Sequence, residues 1–265
     1  MPSIVVRSFA IALGFLVTVT NACDFVFDDG LEVPEYPPIA PSGGCSGVYP
    51  GRFVVPLKGL PVNAVIQVPD SYRPQQSMPL IFLLHGAAGP GQAPHQAQAM
   101  LDVWASVLSE HGLIAVALIA TGGQGGWIPP NTQTMMEVAA TQFADDYNVD
   151  LARQYGWGFS AGGHVLHALA LDQVLPFAGY AVTAGALDAY AGAGAPAAAA
   201  NMVPVFLSVG QFDNLYSFVQ TDYQRFINAG WIGDTSVTLY SFPGGHTIGA
   251  EVPAQAWRFL RDHTK

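Results

Sequence analysis

The ten residues YGWGFSAGGH (155–164) carry two chemistries in one stretch. Gly158-Phe159-Ser160-Ala161-Gly162 fits a strained strand-to-helix turn that exposes a nucleophilic serine. Gly156, Gly158 and Ala161 fit the spacing of a loop that cradles the pyrophosphate of a dinucleotide. A serine hydroxyl is a weak nucleophile at neutral pH. It needs a histidine as general base and a carboxylate to orient that histidine, following in the order serine, acid, histidine. Asp213 in VFLSVGQFDN and His246 in VTLYSFPGGHTIG meet this demand, each lying just past an apolar strand-like run. The dinucleotide reading demands a motif in the first strand–helix–strand unit and an acid about twenty residues on, at the end of the next strand. Here the motif lies past the middle of the chain, and the nearest downstream acid, Asp172, falls at the end of a helix. The pattern therefore favours acyl transfer through Ser160, with His246 as general base and Asp213 as orienting acid, and it calls for no cofactor.

Two other groups of residues compete for roles. Asp188 in GALDAY also follows a strand-like run and is the rival of Asp213. His164 and His167 stand three apart on one helix face, but no Cys or Glu at ligand spacing joins them, so they read as core or helix-surface histidines and not as a metal site. His85 in LLHG reads as a residue that shapes its loop. Trp127, in the loop TGGQGGWIPPN, lies beyond a strand that ends near Ala120, where loops line the site in such sheets. It is a candidate wall of the substrate pocket, with Phe159 and Tyr216 as further candidates.

The elements that must position these groups are legible as period and run length. RFVV and AVIQV, separated by the turn-rich KGLPVN, read as an antiparallel edge. Continuous apolar runs at 80–84, 113–120, up to Phe159, 177–182, 203–209 and 236–240 read as parallel strands buried on both faces. Between them Ala97, Leu101, Trp104, Ala105 and Leu108 recur at helical spacing, as do Met136, Ala140, Phe143 and Tyr147. Thr134 with Glu137 matches a capping box at the start of the second of these helices. Further helices are expected over His164–Leu171 and Leu215–Ile227, with a last one opening at Pro253. GAGAPAAAA (192–200) reads as a surface loop or a short helix. The alternation implies a mostly parallel sheet with helices on both faces.

At 265 residues, with 51% hydrophobic residues, the chain is long enough for one sizeable α/β core. Its net charge of −10 disfavours nucleic acid and anionic membrane surfaces as partners. Arg7 and the apolar run Phe9–Val19, followed by Thr20-Asn21-Ala22, have the form of a secretory signal peptide over residues 1–22, which implies an extracytoplasmic protein, secreted or periplasmic. Residues 23–47 are acidic and rich in Pro and Gly, as in a linker or an arm draped on the domain, which then runs from 48 to 265. Cys23 and Cys45 are the two cysteines. Three fates are open to them: a Cys23–Cys45 disulfide, which is preferred, a lipid anchor on Cys23 at a lipoprotein-like cleavage box, or two free thiols.

LLHGAAGPG (83–91), GFSAGGH (158–164), DQVLPFAGYAVTAG (172–185) and the Asp213 and His246 loops together resemble the α/β-hydrolase fold. Within it they are similar to the secreted esterases that include polyhydroxyalkanoate depolymerases and feruloyl or acetyl-xylan esterases. The resemblance covers residues 50–263. The chain departs from it at Val209-Gly210-Gln211, where a His-Gly pair usually precedes the acid, and at Ala87, where a cysteine often stands. The resemblance implies a serine esterase (EC 3.1.1-like) with the backbone N–H groups of Ala87 and Ala161 as oxyanion donors. The substrate it implies is a small-molecule or polymer ester. A serine peptidase or amidase on the same fold, and a non-catalytic binding protein on a hydrolase scaffold, are the alternatives.

Overall fold

The structure is a computed structural model that describes residues 40–47 and 50–265. The signal peptide, Cys23 and the first part of the arm lie outside the described residues.

Eight strands form one sheet: β1 (Gly51–Pro56), β2 (Asn63–Val68), β3 (Met78–Leu84), β4 (Ile114–Leu118), β5 (Val149–Phe159), β6 (Gly179–Thr183), β7 (Val205–Gly210) and β8 (Val237–Phe242). Their spatial order is β1-β2-β4-β3-β5-β6-β7-β8. β2 pairs antiparallel with both β1 and β4, and every other neighbouring pair is parallel. Among the described residues six α-helices complete the alternation: α1 (Ala93–His111), α2 (Pro129–Asp146), α3 (Ala161–Leu171), α4 (Ala195–Ala198), α5 (Tyr216–Asn228) and α6 (Val252–Leu260). The low-complexity run 192–200 thus holds a single helical turn.

The continuous apolar strands are buried on both faces because each face carries its own helical layer. Leu80, Phe82 and Leu84 of β3 point into one core with α2, α3 and α5, while Ile81 and Leu83 join α1 and α6 in the other. Along β5 the same alternation explains the spacing of YGWG. Tyr155 and Trp157 face α1 and α6, with Trp157 edge-on to Trp104 at 5.7 Å. Gly156 and Gly158 face α3, and a Cβ on Gly158 would stand 2.5 Å from the Gly162 carbonyl oxygen. These glycines let α3 start directly against the strand that leads into it.

The expected capping box is not how α2 begins. Pro129 and Pro130 open the helix after Ile128, well before the start that the capping box indicates at Thr134. Thr134 already lies inside it, and its hydroxyl donates to the Pro130 carbonyl at 3.1 Å. Proline at the first helical positions needs no N–H partner and arrives with its φ set, so the two prolines override the Thr/Glu signal.

The end of the arm is packed on the domain. Ala40 donates its N–H to Asp150 Oδ1 at 3.0 Å, and the Ser42 hydroxyl donates to the Ala144 carbonyl at 2.8 Å. Cys45 is half-buried and disulfide-bonded. Among the described residues no helix is long and apolar enough to cross a membrane.

Candidate active site

The carboxyl ends of β3, β4, β5, β6, β7 and β8 open on one edge of the sheet, and each delivers one part of the site. β5 ends at Phe159, and Ser160 sits at the turn into α3 with φ 51° and ψ −117°. A non-glycine residue held at such angles costs about 1–3 kcal/mol and persists only where its surroundings enforce it. Here the enforcement is backbone hydrogen bonding on both sides of the turn. Ser160 donates its N–H to the Thr183 carbonyl of β6 at 2.9 Å, and its own carbonyl accepts from His164 at 2.9 Å. A Cβ on Gly162 would lie 2.3 Å from the Leu84 carbonyl oxygen, so only glycine passes there.

His246 reaches this serine from the loop after β8, with Nε2 2.8 Å from Ser160 Oγ. Its Nδ1 lies 2.9 Å from Asp213 Oδ2 and 3.1 Å from Oδ1, in the loop after β7. The Asp213 carboxylate is fully buried, while the His246 side chain is 44% exposed. Asp213 Oδ1 also accepts the Leu215 N–H at 2.8 Å, which fixes the carboxylate's rotation. The two loops are fastened to each other. Phe212 donates its N–H to the Gly244 carbonyl at 2.8 Å, and a Cβ on Gly210 would stand 2.3 Å from the Gly245 oxygen. The glycine in Val209-Gly210-Gln211 is therefore required by the approach of the histidine loop.

Asp188 lies elsewhere. It caps no histidine and instead accepts from Arg225 Nη1 at 3.1 Å. Phe159 is half-buried, and its ring faces the His246 imidazole at 5.3 Å between centroids. Tyr216 is half-buried at the start of α5, its N–H bonded to the Asp213 carbonyl at 3.0 Å.

The loop after β3 carries Gly86 and Ala87 past the serine, and a Cβ on Gly86 would meet the Phe159 ring at 3.0 Å and the Ser160 Cβ at 3.4 Å. His85 anchors this loop from a fully buried position. Its Nδ1–H donates to the Gly86 carbonyl at 2.6 Å, and Nε2 accepts the Ala120 N–H at 3.3 Å, an arrangement that only the neutral ring satisfies. Burial pushes its pKa down, against the Gly86 hydrogen bond that raises it. Trp127 completes the anchor: its indole N–H donates to the His85 carbonyl at 2.7 Å, and its ring is almost wholly buried. The N–H groups of Ala87 and Ala161 have no acceptor among the described residues. Both lie beside Ser160, and Ala161 is the first residue of α3, where the helix favours negative charge.

Among the described residues no group of His, Cys, Asp and Glu is placed to hold a metal ion. His167 is fully buried in the α3 core, with Nδ1 3.1 Å from the Tyr180 hydroxyl. Burial, with a further push from His164, lowers its pKa from 6.5 to about 3. Between these values the unfolded chain binds a proton at this site that the native protein does not. Its contribution to stability is therefore complete above pH 6.5 and declines as pH falls through that window, by about 1.4 kcal/mol per unit at most. Denaturant titrations between pH 7 and pH 4 are expected to show this loss, and the slope is expected to flatten in a His167→Gln variant.

Sequence reasoning missed Tyr190, Asp222 and Arg225. Asp222 is buried and accepts the Leu187 N–H at 2.9 Å, and Arg225 bridges it to Asp188. An aspartate three residues before an arginine inside a helix, with Val219 and Phe226 as its apolar face, was the available signal.

No family model matches the chain. Its sequence is 29% identical over 125 residues to feruloyl esterase C of Emericella nidulans, covering 46% of this chain and 46% of that protein. The match thus spans about half the length of that relative. A probable dipeptidyl-aminopeptidase B of Aspergillus terreus is 27% identical over 158 residues, covering 54% of this chain and 16% of that protein. Among solved structures, a thermophilic esterase of the planctomycete Thermogutta terrifontis superposes with a TM-score of 0.63 at 17% identity, over 80% of this chain and 94% of that one. Strand order, the helical layers and this superposition agree, and the chain has the α/β-hydrolase fold.

Proposed function

We propose that the protein is a secreted serine hydrolase that cleaves carboxylic esters through an acyl-enzyme on Ser160. The observation that carries this reading is the unbroken chain from Ser160 Oγ through His246 to a buried Asp213, with contacts of 2.8 and 2.9 Å. Ser160 attacks the ester carbonyl carbon as His246 Nε2 takes its proton. Asp213 holds Nδ1–H and stabilises the imidazolium that forms. The carbonyl oxygen becomes an oxyanion between the N–H groups of Ala87 and Ala161, where each such donor is worth about 3–4 kcal/mol. Collapse expels the alcohol, which receives the proton from His246. Water then enters, His246 removes its proton, and a second tetrahedral intermediate releases the acid and restores the serine. The exposure of His246 gives that water direct access.

The sequence similarity to a feruloyl esterase supports ester chemistry at this site. Secretion is supported by the signal-like N-terminus and by the disulfide at Cys45, for which Cys23 is the one other cysteine in the chain.

The similarity to a probable dipeptidyl-aminopeptidase favours a second reading, a serine peptidase on the same fold. Matched ester and amide substrates with one acyl group separate the two. Fluorophosphonate labelling of Ser160 and turnover of p-nitrophenyl acetate, with the matched anilide at least about a hundredfold slower, is the expected result. Labelling with faster amide cleavage would establish the peptidase. Absence of both label and turnover would leave a binding protein on a hydrolase scaffold.

A further inference from the structure

The segment after β6 is fastened more heavily than a surface loop needs. Three consecutive residues are each held by a side chain from a helix. His164 Nδ1 of α3 accepts the Ala186 N–H at 2.8 Å, and Asp222 Oδ2 of α5 accepts the Leu187 N–H at 2.9 Å. Arg225 of α5 donates to Asp188 at 3.1 Å and to Asp222 at 2.7 Å. Asp222 is only 1% exposed, and burying a carboxylate is costly unless it is paired and hydrogen-bonded, as it is here by the Leu187 amide and Arg225. Burial raises its pKa, and the Leu187 amide and Arg225 pull it back.

The fastened segment presents Tyr190, 46% exposed, whose hydroxyl donates a long hydrogen bond of 3.4 Å to the Trp127 carbonyl. Trp127 belongs to the loop after β4 and Tyr190 to the loop after β6. In the sheet these strands are separated by β3 and β5, a span of three strand spacings or about 14 Å. The contact therefore crosses the strand ends that deliver Gly86 and Ser160. Trp127 belongs to the core shared with α2 and α3, whereas Phe159, which faces His246, packs against the core of α1 and α6. The crossing thus starts from the face of the sheet opposite the one against which Phe159, the neighbour of His246, packs.

We propose that Tyr190 is a specificity-determining residue for the ester hydrolysis argued above. With Trp127 it forms an arch that limits the size of the acyl group, and Asp222, Arg225 and His164 are the positioning residues that hold it. Replacing tyrosine by alanine opens the arch, while phenylalanine keeps its bulk and loses only the hydrogen bond.

The test is a p-nitrophenyl ester series from acetate to octanoate, read as the ratio of kcat/KM for octanoate to that for acetate. Tyr190→Ala is expected to raise the ratio about tenfold through KM, and Tyr190→Phe less than about threefold. Arg225→Ala should shift it in the same direction, with Arg225→Lys restoring most of the wild-type value. Phe226→Leu, in the buried face of the same helix, should lower Tm without moving the ratio. A ratio unchanged in Tyr190→Ala, or moved equally by Phe226→Leu, overturns the arch. Wild-type protein that turns over no ester and takes no fluorophosphonate label overturns the ester reading itself, a result distinguishable from an active enzyme whose preference ignores Tyr190.

Discussion

Ser160→Ala is expected to lower kcat on p-nitrophenyl acetate by about a million-fold and to abolish fluorophosphonate labelling. The magnitude follows from the role: with the attacking oxygen gone, the base and its acid have nothing to activate, so the loss approaches that of the whole triad. Residual hydrolysis about a thousandfold above water remains, because backbone donors still polarise a bound ester. The backbone supplies a second readout. Alanine retains the Cβ that makes φ 51° unfavourable, whereas glycine adopts it freely. Ser160→Gly is therefore expected to be more stable than Ser160→Ala by about 1 kcal/mol, or about 2–4 °C in Tm. Calorimetry of the two inactive variants checks this. Equal melting temperatures would show that the turn is not strained, and labelling retained in either variant would place the nucleophile elsewhere.

Asp213→Asn is expected to lower kcat about ten-thousand-fold while the fold persists. The amide can still accept the Leu215 N–H, but it no longer compensates the imidazolium and can orient the ring in the wrong tautomer. Asp188→Asn is expected to change turnover of p-nitrophenyl acetate less than about threefold, since its partner is a half-exposed arginine and the variant keeps an acceptor oxygen. The pair of variants is the decisive comparison: a larger loss at Asp188 would reverse the assignment of the acid.

The order of these groups along the chain was legible because α/β chemistry leaves its marks at strand ends. Continuous apolar runs located β3 through β8, and Ser160, Asp213 and His246 each followed one of them. What the sequence left open was the choice between two acids, because Asp188 and Asp213 both follow a buried strand. Only the neighbours of each carboxylate decide, and Arg225, which claims Asp188, sits 37 residues away in the chain. The start of α2 was misplaced because two prolines set it more strongly than a Thr/Glu pair further along the helix. The Tyr190–Trp127 crossing could not be seen at all, since it depends on the spatial order β4-β3-β5-β6 and not on the order of the chain. The role of Gly210 was hidden for the same reason, its close neighbours being the glycines of the His246 loop.

The two amides beside Ser160 belong to the main chain, so no side-chain replacement at 87 or 161, proline aside, can delete them. Mutational drift at these positions leaves the proposed oxyanion donors in place, and damage reaches them only by displacement, through Gly86, Gly162 or the His85–Trp127 anchor. The site is thereby robust to changes in residue identity and fragile to changes in backbone path. Its vulnerable points are buried residues that set the course of the main chain, the glycines by leaving it room and His85 with Trp127 by tying it down.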